Sequence, residues 1–399
     1  MLEREVMEGA FAAKERMVEI RRDIHRHPEL SQKEFRTQQK IVEELRSIGI
    51  TEMKKYYNTG LAAVIRGAAP GKTIGMRADM DALPIEETTG LPFASQNPGV
   101  SHSCGHDGHV AMLLGAARVL YALRDRLRGN VKLIFQPAEE DGLNGGGSQW
   151  MVREGVMTNE PAVDFIIGQH VAPHLEAGVI SSKAGPFFTT SDLFTIEVIG
   201  REGHSSAPQN SRDPVVAAAQ IVLALQTIVS RSIDPQDTAV LSIGIIEGGA
   251  RHNIIPARVR LVGGARSYTE EISATVRKRM REIVSGVAAA MDLSAEIAFK
   301  KSYGPVVNDE GMFGKCRAWA GAVLEPGKFV EAKTPNAAGE DFSNFTSDTP
   351  GVYFLVGARC ARGEQFEPHT GRFTFNEDAL PWGAVNLCAV AVNYLNENA

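Results

Sequence analysis

The stretch Val131-Lys132-Leu133-Ile134-Phe135-Gln136-Pro137-Ala138-Glu139-Glu140 runs from an apolar segment into two adjacent acids. Its apolar residues are consecutive rather than alternating, as in a strand covered by helices on both faces. Similar runs at residues 61–65, 72–77 and 164–168 flank it, and a helical pattern occupies 110–123. That alternation predicts an α/β domain: a mixed, mostly parallel sheet with helices on both faces.

The texture changes from about residue 191. Strand patterns at 193–199, 238–246, 258–262 and 295–300 alternate with helical ones at 214–230 and 271–291, giving the order βαββαβ. This is the split, ferredoxin-like α+β unit, whose close termini allow it to be inserted whole. We expect it at 185–302. Helical patterns at 311–322 and 380–395 and a strand at 351–356 then return to the first texture, so the first domain is expected to be discontinuous, 1–184 and 303–399.

Bulk properties narrow the partners. The chain has 399 residues, 43% hydrophobic, and a formal net charge of -6. It is long enough for two cores, and it has no broad basic field for nucleic acid or anionic membrane. The first 22 residues lack the apolar core of a signal peptide, and the 215–229 stretch falls short of the roughly 20 residues that span a bilayer. Four scattered cysteines suggest no disulfide framework and fit a reducing cytoplasm. A small molecule is the expected ligand.

Sites in open α/β sheets form beyond the carboxyl ends of strands. The strand at 72–77 leads to Asp79 and Asp81, that at 131–135 to Glu139 and Glu140, and that at 164–168 to His170. Between them, Ser101-His102-Ser103-Cys104-Gly105-His106-Asp107-Gly108-His109 supplies thiol, imidazole and carboxylate just before a helix. These are metal-ligand types. Adjacent glutamates suit a division of labour in which one coordinates metal and the other takes a proton from water.

The sequence resembles the M20 metallopeptidases, in their amidohydrolase branch, over nearly the whole chain. The resembling stretches are RRDIHRHPEL at 21–30, RADMDALP at 77–84, CGHDGH at 104–109, FQPAEE at 135–140, GQHV at 168–171, residues 203–208, NIIP at 253–256 and GEDF at 339–342. The resemblance implies hydrolysis of the amide bond of N-acyl amino acids, with short peptides as the alternative substrate. It implies two divalent cations held by Cys104, His106, Glu140, His170 and His369, with Glu139 as general acid/base. Zinc suits this donor set by softness, and manganese, cobalt or nickel are also accepted. Asp79 and Asp81 would orient ligand imidazoles.

In the inserted domain the resemblance assigns His204 to the substrate carbonyl, commonly from the other subunit of a homodimer. Asn253 and Arg266 would bind the terminal carboxylate of the substrate. The sequence departs from the branch at Ser103 and His252, neither of which touches the inferred chemistry. His25, His27, His102 and His174 read as structural or surface residues, and His109 as a local packing residue at the start of its helix. Two other readings stay open: a thiol hydrolase with Cys104 as nucleophile, and a non-catalytic binding protein.

Overall fold

The computed structural model describes residues 2–360 and 365–398. Its chain forms two units: Met1–Phe187 with Val307–Pro335 and Asp341–Ala399, and Phe188–Val306 with Asn336–Glu340.

The first unit is built on an eight-stranded sheet. Its spatial order is Met53–Tyr56, Gly60–Arg66, Arg128–Gln136, Ala69–Asp79, Phe165–Ala172, Gly351–Gly357, Ile180–Ser182, Phe329–Glu331. The centre is parallel: Ala69–Asp79 runs with both Arg128–Gln136 and Phe165–Ala172, and the latter runs with Gly351–Gly357. Antiparallel pairs lie towards the edges. Every residue of Gly351–Gly357 is buried, as are the last six of Arg128–Gln136. Both faces of these strands are therefore covered, the physical reason their apolar runs do not alternate. The helices His106–Leu123 and Ala379–Glu397 supply much of that cover, with Val110, Leu113, Ala117, Val385, Val390 and Ala391 in one core.

Register decides where the chemistry goes. Parallel pairing sets Asp79 opposite Gln136 and Arg77 opposite Gly168. The segments that follow, bearing Asp81 and Glu139–Glu140, thus emerge along the same edge of the sheet as His170, which lies near the end of Phe165–Ala172.

The second unit has the βαββαβ order. Its antiparallel sheet runs Ala239–Gly248, Arg258–Ser267, Ser191–Ile199, Ser294–Tyr303. Burial alternates strictly along Ser191–Ile199, the pattern of a sheet with one covered face. Phe194, Ile196 and Val198 meet Ile221 and Leu225 of the helix Pro214–Arg231, and Val276 and Met280 of Glu270–Ala290. Both helices are capped: Asp213 accepts the Val215 N–H and Thr269 the Ile272 N–H. Pro214–Arg231 is long and apolar enough to cross a membrane by length and composition, but its Ala217, Ile221, Leu225 and Ile228 sit in this core. The unit also takes in Asn336–Glu340, expected above to belong with the first domain. The cause is local pairing: Thr189 bridges to Gly339, and its N–H donates to the Ala338 carbonyl (3.0 Å).

Candidate metal centre

Gly105 starts the site. It adopts φ +97°, and a Cβ there would stand 2.6 Å from Val171 Cγ2, so the turn between Cys104 and His106 requires glycine. The helix His106–Leu123 begins at once, placing His106 and His109 on one face by their i, i+3 spacing.

Five of the sequence-assigned residues gather here. One potential donor atom each from Cys104, His106 and His170 lies within 4.8 Å of the others, and the same holds for Cys104, Glu140 and His369. Two ligand trios thus share the Cys104 sulfur. His106, Glu139 and Glu140 form a further group of the same span. Cys104 Sγ is 3.3 Å from His170 Nε2, and His369 Nε2 is 3.1 Å from Glu140 Oε1. His369 is held by its own N–H, which donates to the Ser103 carbonyl (2.7 Å), and it adopts φ +64°.

Second partners fix the imidazoles. His106 Nδ1 is 2.9 Å from the Asp81 carbonyl and 3.2 Å from Asp81 Oδ1, so Nδ1 donates to Asp81 and Nε2 is the nitrogen left for a metal. His170 Nδ1 likewise donates to the Val171 carbonyl (2.8 Å). Asp81 Oδ2 accepts the Glu140 N–H (3.0 Å) and the Ser31 hydroxyl (2.7 Å).

Asp79 does something different. It accepts from Arg77 (2.7 Å) and from His109 Nδ1 (2.5 Å), and its Oδ2 stands 3.8 Å from His106 Nε2. His109, read above as local packing, is therefore part of the site's surroundings: its Nε2 accepts the Val171 N–H (2.9 Å) and its ring lies 4.5 Å from that of His170. The i, i+3 spacing from His106 was the available signal. Sequence reasoning also missed Arg77 and Asp341, which are wholly buried and bonded to each other (2.9 Å) and to Gln136.

Electrostatically the cluster calls for cations. Burial should lower the His106 pKa, yet Asp79 and Cys104 raise it well above the ordinary value. Hydrogen bonds to Cys104 and Glu140 push His369 up to about 10. His170 moves the other way, well below its ordinary value, through burial and then His109; it is a neutral imidazole, ready to ligate. His106 Nε2 is buried without a hydrogen bond among the described residues. An imidazole nitrogen left without a partner beside a thiol, within one small cluster of S, N and O ligand atoms, fits divalent metal. Burial, then Glu140, raises the Cys104 thiol, the reverse of what a free nucleophilic cysteine needs.

The remaining assigned residues lie in the second unit. The short strand Gly203–His204 pairs with Ile254–Ile255, and the Ser205 N–H donates to the Asn253 carbonyl (3.2 Å). The Ser206 N–H donates to His204 Nδ1 (3.1 Å), which leaves Nε2–H as an outward donor. Arg266 is elsewhere: it sits near the far end of Arg258–Ser267 and donates to the Ala337 carbonyl (3.4 Å). From Arg258, which follows the Asn253 turn, to Arg266 is about 26 Å at strand rise. One chain does not bring Asn253 and Arg266 together.

A parallel-sheet edge bearing a two-trio thiol, imidazole and carboxylate cluster defines a metal-dependent hydrolase with a two-metal centre. Residues 75–393 match the peptidase family M20/M25/M40, and the chain belongs to that family. It is 39% identical to "Thermostable carboxypeptidase 1" of Saccharolobus solfataricus, over 96% of each chain. It is 42% identical to the "N-acyl-L-amino acid amidohydrolase" of Geobacillus stearothermophilus, over 78% of this chain and 83% of that one. The crystal structure of the Bacillus subtilis YXEP protein, a dinuclear metal binding peptidase of the M20 family, superposes with a TM-score of 0.84. It is 34% identical, covering 97% of this chain and 99% of that one.

Proposed function

We propose that the protein hydrolyses the amide bond of N-acyl or N-aroyl amino acids, releasing a carboxylic acid and a free amino acid. The observation that carries this is the pair of ligand trios sharing Cys104 beside the buried Glu139. We assign Cys104, His106, Glu140, His170 and His369 as the residues that would hold two divalent cations. Zinc is the first expectation and manganese, cobalt or nickel the alternatives.

Bound divalent cations supply Lewis acidity, which brings the pKa of a water towards neutrality and polarises the scissile carbonyl. Glu139, 7% exposed, takes the proton of the attacking water and returns it to the leaving nitrogen. Asp81 holds the His106 ring, and Asp79, anchored by Arg77, adds negative charge beside it. His204 offers its Nε2–H to the oxygen that gains charge. Asn253 and Arg266 supply an amide and a guanidinium for the substrate carboxylate.

A homodimer reconciles these last roles. A substrate of amino-acid size does not span about 26 Å of strand, so His204 and Asn253 would serve from one subunit and Arg266 from the other. The second unit carries a surface suited to a second copy. The edge strand Ala239–Gly248 leaves one side of its ladder open and exposes Val240, Ile245 and Ile246, while Pro214–Arg231 exposes Val215, Val216 and Leu223. The four cysteines are unpaired, in keeping with a cytoplasmic location. The resemblance to a carboxypeptidase supports a second reading, cleavage of short peptides by the same chemistry.

The test is hydrolysis of N-acetyl, N-benzoyl, indole-acetyl and long-acyl amino acids and of dipeptides, scored by amine released. Chelation should abolish turnover and divalent metal restore it. Glu139→Gln should lower kcat by about 10³-fold, within the range of general acid–base loss, with metal content unchanged. Full activity in that variant refutes the assignment of Glu139; full activity after chelation refutes the metal chemistry.

A further inference from the structure

Glu34 takes no part in the chemistry above, yet its side chain is fully buried, at 0% exposure. A carboxylate in such a place is tolerated only when donors fill its oxygens. Here Oε1 accepts the N–H of Ala138 (2.9 Å) and of Gln32 (2.9 Å), and Oε2 accepts the Thr59 hydroxyl (2.5 Å). Three separate segments meet on one carboxylate.

The first of those partners matters most. Ala138 immediately precedes Glu139 and adopts φ +54°, a left-handed conformation in which a Cβ crowds the following carbonyl oxygen. Six non-glycine residues have positive φ among the described residues, and four of them (Gln32, Tyr57, Asn58 and Ala138) lie in the segments tied to Glu34. Backbone held this way persists only where its surroundings over-determine it. On the other side of Glu139, the Glu140 N–H donates to Asp81 Oδ2 (3.0 Å). The Ala138 carbonyl accepts the Gly147 N–H (2.9 Å). The main chain is thus gripped before and after Glu139, by Glu34 on one side and Asp81 on the other.

We propose that Glu34 is a positioning residue for amide hydrolysis: by accepting the Ala138 N–H it holds the left-handed turn that aims the Glu139 carboxylate at the reacting atoms. This rests on the reading of Glu139 as general acid/base. A residue that only ties loops together would affect stability; one that aims the base affects kcat, because displacement of about 1 Å at the reacting group costs about 10²-fold in rate.

The experiment compares Glu34→Ala, Glu34→Gln and Glu34→Ala/Ala138→Gly with the wild type, reading kcat, KM, metal content and thermal unfolding. Glu34→Ala should lower kcat about 10²-fold while KM stays within about threefold and metal content is unchanged. In Glu34→Gln the amide oxygen can still accept both N–H groups and the amide nitrogen can donate to Thr59, so kcat should return to within about fivefold of wild type. In the double variant glycine adopts the positive φ without strain, and about tenfold of the loss should be recovered.

Glu34→Ala with wild-type kcat overturns the proposal, as does a loss of activity that tracks metal content or unfolding and is not restored by Glu34→Gln. If Glu34→Ala does not fold, Glu34→Asp carries the test. Its withdrawn carboxylate should lower kcat at least about tenfold, and an unchanged kcat overturns the proposal. The control is Glu139→Gln. If it is fully active, the reading of Glu139 fails; if it is inactive while the Glu34 variants are active, only the positioning role fails.

Discussion

His25 is buried between two carboxylates, with Nδ1 2.8 Å from Asp107 and Nε2 3.3 Å from Glu87. Burial lowers its pKa, but Asp107 and then Glu87 more than offset that and hold it at about 9. A folded-state value above the unfolded value of about 6.5 means that the native state binds the proton more tightly. The stability from charged His25 is therefore fully present below about pH 6.5 and is lost as pH rises through about 9. Denaturant unfolding of metal-loaded wild type and His25→Gln should show a stability gap that narrows between pH 6.5 and 9.5; a gap independent of pH would count against the ion pair. The same cluster explains why residue types were legible and partners were not. His25 read as structural, but Asp107 lies 82 positions away and Glu87 lies 62 away. No local pattern encodes such pairs.

At the scale of elements, the helix His106–Leu123 carries two ring systems of the site on its first turn, and its entry depends on Gly105. Gly105→Ala would impose a left-handed alanine, at about 1–2 kcal/mol, and drive a methyl into Val171. The expected outcome is lower thermal stability and metal affinity reduced at least about tenfold, measured by calorimetric titration; wild-type affinity would show that the turn tolerates a side chain. The long elements were readable because burial on both sheet faces writes uninterrupted apolar runs. Others were not. The helix Phe35–Ile48 buries Thr37, Gln38 and Glu44 alongside Ile41 and Leu45, so its inner face is not apolar in composition. The strands Ile180–Ser182 and Phe329–Glu331 have three residues each, too few for a periodicity to register. They are strands because neighbours supply the ladder.

For the whole molecule, the open edge and exposed apolar side chains of the second unit predict association. Sedimentation should find a dimer, and Leu223→Arg with Ile246→Arg should shift it to monomer and reduce turnover at least about tenfold, since His204 and Asn253 would then lack a partner site; monomers of full activity would exclude shared sites. The sequence by itself determined the two textures and the order βαββαβ. It also carried the thiol, imidazole and carboxylate residues at strand ends, because each of these is written in local periodicity or a contiguous motif. Only the tertiary structure decided which of them meet. Parallel register puts the chain beyond Asp79, Gln136 and His170 on one edge. The backbone of His369 hangs from Ser103, 266 residues earlier in the chain. Arg77 finds Asp341, His109 finds Asp79, and Glu34 reaches the turn before Glu139. Such contacts are set by packing between segments far apart in the chain, where hydrogen bonds and charge pairs are satisfied across space and leave no period in the sequence.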